Sequence, residues 1–216
     1  MTYRIRKAAV IGSGVMGSGI AAHLANIGIP TLLLDIVPKE LLQEEKATGL
    51  TLEDSSVRNR FAANAVQKLL KQKPAPLTTK KSLNLMTIGN LEDDLEKLKD
   101  VDWIIEVVVE NLAIKKNLLE KIDGVRRPGT IVSSNTSGIS INAMIEGRSE
   151  DLKKHFLGTH FFNPPRYLKL LEVIPAQDTL PELITFMRQF AEERLGKGVV
   201  LAKDTPNFVG NRIGTY

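Results

Sequence analysis

The stretch RKAAVIGSGVMGSGIAAHLANIGIPTLLLD, residues 6–35, decides the fold. A short apolar run stops at Gly12, glycines recur at Gly14 and Gly17, and a periodic segment follows with Met16, Ile20, Leu24 and Ile27 on one stripe. The run reads as a buried strand and the stripe as a helix from about Val15 to Ile27. Gly28 is placed to end that helix, and Pro30 prevents its resumption. TLLLD is then a second strand closed by Asp35. In such a strand–turn–helix, Gly12 permits the tight turn, Gly14 lets backbone approach a pyrophosphate, and Gly17 lets helix and strand pack closely. The helix start at Val15 and Met16 offers free N–H groups and a positive dipole to phosphate. Asp35 would accept hydrogen bonds from ribose hydroxyls. No arginine follows it directly, which favours NAD over its 2′-phosphorylated form. The competing reading is a glycine turn needed only for packing, with Asp35 a strand-end cap. Strand, helix and acid all standing in place favour the dinucleotide.

Outward from that unit, strand-like and helical runs alternate. LMTIGN, VDWIIEVVV and GTIVSSN read as strands. LEDDLEKLK, the segment from Asn111 (a good N-cap) to Ile122, and ISINAMIE read as helices. Residues 38–73 form a long polar helical excursion, as two helices or one bent one, ending at KPAP. The pattern predicts an α/β chain: a Rossmann-type, doubly wound, mainly parallel sheet with helices on both faces. After residue 155 the rhythm changes. HFLGTHFF and RYLKLLEVI are separated only by NPP, too few residues for a parallel crossover, so the two are expected to be added antiparallel or adjacent by a bend. A helix over about 180–194 and a last strand, GKGVVLA, follow. Residues 1–205 are expected to form one domain, and 206–216 to open a second, helical one.

The 216 residues carry no cysteine, which excludes disulfides, thiol nucleophiles and cysteine metal sites. Three histidines without paired spacing argue against a metal. The N-terminus reads as a first strand, not a signal peptide, and no apolar run approaches membrane-spanning length, so a cytoplasmic protein is expected. The net charge of +4 is mild, but Arg58, Arg60, Lys68, Lys71, Lys73, Lys80 and Lys81 crowd one region. A solvated helical face is the plain reading; a patch for a polyanion such as coenzyme A is the sharper one. Nucleic acid is disfavoured because no aromatic residues punctuate the patch.

The candidate chemistry lies in GTHFFNPPRYLKLLEV, residues 158–173. By strand alternation His160 shares a face with Phe156 and Phe162, and Glu172 with Leu168, Leu170 and Ile174. A lone buried carboxylate is costly, so it calls for a partner. A carboxylate bound to imidazole fixes the tautomer and raises basicity, the equipment for removing a hydroxyl proton while hydride leaves for a nicotinamide. A structural His–Glu pair is the competing reading. In SSNTSG, residues 133–138, the hydroxyls of Thr136 or Ser137 could bond the reacting oxygen or the nicotinamide, or the segment is a plain turn. Glu110 reads as a strand-end acid and Lys115 as a solvated helix lysine.

Taken in order, GSGVMGSGIA, LLLD, IIEVVVENLAIKK, SSNTS, GTHFFNPP, KLLEVI and KDTPNFVGNR resemble the L-3-hydroxyacyl-CoA dehydrogenase family of NAD-dependent β-oxidation enzymes, over all of the chain except about 38–100. The resemblance implies His160 as catalytic base and Glu172 as its partner, with Ser137 and Asn211 at the reacting end of an acyl-CoA. It implies Glu110, Lys115, Ser137 and Asn163 near NAD, beside Asp35. It also implies coenzyme A contacts from the excursion after the second strand, and a further helical domain that closes over substrate and forms a homodimer. The chain departs from the family pattern at Gly138, where a second serine is common, and at Asn207 and Gly210. Rival readings are a β-hydroxyacid dehydrogenase that uses a catalytic lysine on free acids, and a non-catalytic NAD-binding relative.

Overall fold

A computed structural model describes residues 3–214. Eight strands form one sheet: β1 (Ala8–Ile11), β2 (Thr31–Asp35), β3 (Met86–Asn90), β4 (Trp103–Glu106), β5 (Ile131–Ser134), β6 (Phe156–Phe161), β7 (Leu170–Pro175) and β8 (Gly198–Leu201), in the order β3-β2-β1-β4-β5-β6-β7-β8. All neighbours are parallel except β6 and β7, which take the antiparallel one of the two arrangements expected from the short NPP spacing. The helices are α1 (Val15–Asn26), α2 (Gln43–Ala47), α3 (Ser55–Arg58), α4 (Arg60–Lys71), α5 (Leu112–Val125), α6 (Ile141–Met144), α7 (Glu150–Lys154), α8 (Pro181–Glu193) and α9 (Gly210–Gly214).

Strands here are apolar at successive positions because both faces are covered. Ala8, Val10, Leu33, Trp103 and Ile105 join one core cluster with Ile20 and Leu24 of α1 and Met187 of α8. Ala9, Ile11, Leu32, Leu34 and Ile104 join the other, with Leu119 and Ile122 of α5. The α1 stop works as read: Gly28 has φ 83°, and Gly28 and Ile29 donate back to Ala25 O and Leu24 O. Asn111 caps α5 by accepting from Ile114 N at 3.1 Å. Among the described residues no helix is long and apolar enough to cross a membrane.

Several expectations need correction. The excursion after β2 is three helices, α2 to α4, of which α4 is held to α1 by Leu69 packing on Ala22 and Leu77. LEDDLEKLK is a turn followed by a 3₁₀ segment, Leu95–Asp100, in place of an α-helix. β7 begins at Leu170, so Leu168 is in a loop and shares no strand face with Glu172. Two prolines donate no N–H, and the N–H groups of Tyr167 and Leu168 turn back to Pro164 O, leaving none for the ladder there. Phe162 lies one residue past β6.

Candidate active site

β1 pairs with β2 on one side and β4 on the other, so the chain leaves the middle of the sheet in opposite directions and a crevice opens at the carboxyl ends of β1 and β4. The three glycines line it for three separate reasons. Gly12, at φ 103°, has no room for a side chain: a Cβ would lie 2.5 Å from Val107 O. A Cβ on Gly17 would overlap the Gly12 carbonyl, so close helix–strand contact requires glycine there too. At Gly14 a Cβ meets nothing within 4 Å. Protein packing therefore does not demand that glycine; the open space beside it suits a phosphate approached by backbone. Val15, 64% exposed, and the half-buried Met16 open α1 over this space.

Asp35 closes the far side. Its Oδ2 accepts from Ser13 N at 2.7 Å and from the Ser13 hydroxyl, and Oδ1 accepts from Ile36 N at 2.7 Å. The carboxylate thus shapes the glycine loop as well as bordering a cleft of about 570 Å³ lined by Val15, Ile36, Phe61 and Lys68. Bare apolar side chains beside a carboxylate fit the adenosine end of a dinucleotide. Of the basic crowd nearby, Arg58 is neutralised by Glu92 and Asp93, and Arg60 pairs with Glu45. Lys68, Lys71, Lys73, Lys80 and Lys81 stay exposed.

Between the cleft and β5 runs a network that sequence reading missed in part. Lys115 is not solvated; it is 1% exposed, with Nζ 2.7 Å from Glu106 Oε1, 3.2 Å from Val108 O and 3.3 Å from Glu110 Oε2. Glu106 is fully buried and accepts further from Val108 N (2.7 Å) and Ser134 Oγ (2.5 Å). A glutamate inside an apolar strand was the available signal that some cation must be buried with it. Glu110 is no strand-end acid either. β4 stops at Glu106, and Glu110 sits on the following bend with its carboxylate folded over the next loop. There it accepts from Ser137 N (2.5 Å), Ser137 Oγ (2.7 Å) and Thr136 Oγ1 (2.9 Å). Burial works to raise the Glu110 carboxyl, but the Ser137 bonds, the Lys115 charge and the Thr136 hydroxyl outweigh it and hold it below its usual range.

His160 and Glu172 are direct cross-strand partners in the β6–β7 pair. His160 Nδ1 is 2.7 Å from Glu172 Oε2, with His160 6% exposed and Glu172 fully buried. The other carboxylate oxygen, Oε1, accepts from Val209 N (2.8 Å) and Gly210 N (2.7 Å). Three N–H donors on one carboxylate fix both side chains: a carboxylate can only accept, so the imidazole proton sits on Nδ1 and Nε2 carries the free lone pair. Phe162 and Phe208 flank the imidazole at ring-centroid distances of 4.4 and 6.0 Å.

The segment after β8 completes the site. Asn207 and Phe208 both have positive φ, 63° and 47°, which turns the buried Phe208 inward and aims the next two N–H groups at Glu172. Asparagine is among the non-glycine residues most often found in the left-handed region, so Asn207 is compatible with this turn. Gly138, the second departure, lies against it: a Cβ there would be 3.1 Å from Asn207 Oδ1. Gly210 touches Phe162, whose Cζ would be 2.5 Å from a Cβ. Asn211 Nδ2 donates to Ser137 O at 3.1 Å, so Ser137, Asn211, His160 and Glu172 converge. Asn163 is exposed at the start of the loop between β6 and β7.

Known proteins match the chain along most of its length. Residues 7–205 match the model of the family described as 3-hydroxyacyl-CoA dehydrogenase, NAD binding domain. The whole chain is 67% identical to 27% of a probable 3-hydroxyacyl-CoA dehydrogenase of Bacillus subtilis. It is 43% identical to 28% of a putative fatty acid oxidation complex trifunctional enzyme of Rickettsia felis. The chain thus spans about a quarter of the length of these two relatives. Among solved structures, 3-hydroxybutyryl-CoA dehydrogenase from Escherichia coli superposes with a TM-score of 0.76 at 29% identity, over 98% of this chain and 41% of that one.

Proposed function

Because the chain belongs to the 3-hydroxyacyl-CoA dehydrogenase family as an NAD-binding domain, we propose that the protein oxidises L-3-hydroxyacyl-CoA to 3-ketoacyl-CoA in fatty-acid β-oxidation. His160 is the general base and Glu172 its orienting partner. The observation that carries this reading is the buried His160–Glu172 pair, 2.7 Å apart at the carboxyl end of β6. Glu172 holds the Nδ1 proton, so Nε2 takes the hydroxyl proton of the substrate, and the resulting imidazolium is stabilised by the adjacent carboxylate. Bound NAD supplies the hydride acceptor. Phe162 and Phe208 keep water from the imidazole. Ser137 and Asn211 orient the reacting oxygen. Before substrate binds, the Ser137 hydroxyl is engaged by Glu110, so its use on substrate requires an exchange of partners.

On the cofactor side, Gly12, Gly14, Val15, Met16 and Gly17 receive the pyrophosphate and Asp35 the adenosine ribose. Glu110, Lys115, Ser137 and Asn163 border the nicotinamide half. The exposed Lys68, Lys71, Lys73, Lys80 and Lys81 receive the anionic end of coenzyme A. Residues from 206 onward open a further helical domain that closes over the substrate and carries the dimer contact.

The reading is tested by NADH oxidation in the full-length protein with acetoacetyl-CoA against free 3-keto acids. A clear preference for the thioester is expected; a preference for free acids overturns it. Asp35→Ala should weaken NAD binding by about 1.5–3 kcal/mol, the range for hydrogen bonds to a charged group, because ribose and Ser13 loop both lose their acceptor. Fluorescence titration with NADH measures this, and unchanged affinity would remove Asp35 from the cofactor site.

A further inference from the structure

A buried cation with no carboxylate partner among the described ion pairs stands outside the chemistry above. Lys197, on the residue before β8, is 5% exposed, and its Nζ donates to two main-chain carbonyls, Pro165 O and, at 2.6 Å, Leu168 O. Both belong to the loop that joins β6 to β7, in which Asn163 is the second residue. The ammonium lies 5.8 Å from the Phe161 ring centroid. No carboxylate pairs with it among the described ion pairs. Nearby, His23 donates from Nε2 to Leu195 O at 3.0 Å and feels the charges of Lys197 and Arg166. Burial, then the Lys197 charge, push His23 down to about 4, so it stays neutral beside the lysine. Burial lowers the lysine itself to about 8.

An ammonium kept out of water without a counter-ion is costly, and for stability alone an apolar side chain of the same length would cost less. What the cation provides is a fixed point for backbone. The loop has two more attachments. Arg166 Nη1 donates to Ala75 O (2.7 Å) and Leu77 O (3.0 Å), and Tyr167 Oη to Ala75 O (2.9 Å). Pro165 also packs on Gly19 of α1, where a Cβ would be 3.1 Å from its ring. The loop is thereby clamped from the residue before β8, from α1 and from the segment before β3, while Asn163 near its start stays exposed.

We infer that Lys197 is the positioning residue of the loop between β6 and β7, fixing through the carbonyls of Pro165 and Leu168 where Asn163 meets the cofactor. This rests on the proposed role of Asn163. Lys197→Met keeps length and apolar volume but removes the ammonium. In the full-length protein it should raise the Kd for NADH about fivefold to tenfold, the size of one lost hydrogen bond, and speed amide exchange at Tyr167 and Leu168. Asn163→Ala should raise the Kd similarly, and the double variant should be no weaker than the weaker single one, because both act through one contact. Effects that multiply in the double variant overturn the inference. So does an unchanged Kd in Lys197→Met when Asn163→Ala binds weakly, an outcome that leaves the proposed function standing. An unchanged Kd in Asn163→Ala alone removes both that residue's role and the inference. If Lys197→Met does not fold, Lys197→Gln, which keeps a neutral donor, is read by the same criteria.

Discussion

His160→Gln is expected to lose about 10²- to 10⁴-fold in turnover, the usual contribution of a general base, with NADH affinity nearly unchanged. The glutamine amide can still donate to Glu172, as Nδ1 does now, so the carboxylate keeps its partners and the β6–β7 pairing survives. What disappears is the basic nitrogen at the Nε2 position. The Asp35 cleft lies across the sheet on β2, separated from β6 by β1, β4 and β5, and His160 is not among the residues that line it. Acetoacetyl-CoA reduction rates and NADH titration on the same full-length preparation separate the two effects. Near-normal turnover in this variant would refute the base assignment.

Lys115→Met should produce the largest loss of stability. It leaves the Glu106 carboxylate, which has no exposed surface, with Val108 N and Ser134 Oγ but without its cation. Removing one partner of a buried ion pair typically costs about 3–5 kcal/mol. For a chain of this size that corresponds to a fall in Tm on the order of 10 °C. Glu106→Gln in the Lys115→Met background should recover part of the loss, since the neutral amide tolerates burial better. A thermal scan in which the single variant melts within a degree of the parent would show that the pair is solvated in solution. Glu110 loses a stabilising charge in the same variant, so its hold on Ser137 should weaken.

Much of the architecture was legible because it rests on local rules. The α1 stop at Gly28, the Asn111 cap and the antiparallel sense of β7 follow from residue chemistry or linker length within a few positions. The His160–Glu172 pairing was legible for a related reason: two ionisable groups on apolar strand faces each needed the other, and a short connection could bring them together. Lys115 and Glu110 were misread because their environment is set at a distance. α5 presents Lys115 to the end of β4, and the β5 loop comes under Glu110, through packing that helical periodicity does not encode. The start of β7 was placed too early for the opposite reason: apolar pattern alone ignored where prolines and a local turn remove N–H donors.

By itself the sequence determined the glycine turn, the alternation of strands and helices, the acid at the end of β2 and the pairing of His160 with Glu172. Each depends on backbone freedom, periodicity or the cost of burying charge, which are properties of residues and their near neighbours. Only the tertiary structure decided how the site is held. Glu172 takes two N–H groups from residues 209 and 210, Ser137 is occupied by Glu110, and Lys197 grips the loop behind Asn163. These contacts join segments far apart in the chain, and their geometry exists only once both faces of the sheet have been covered.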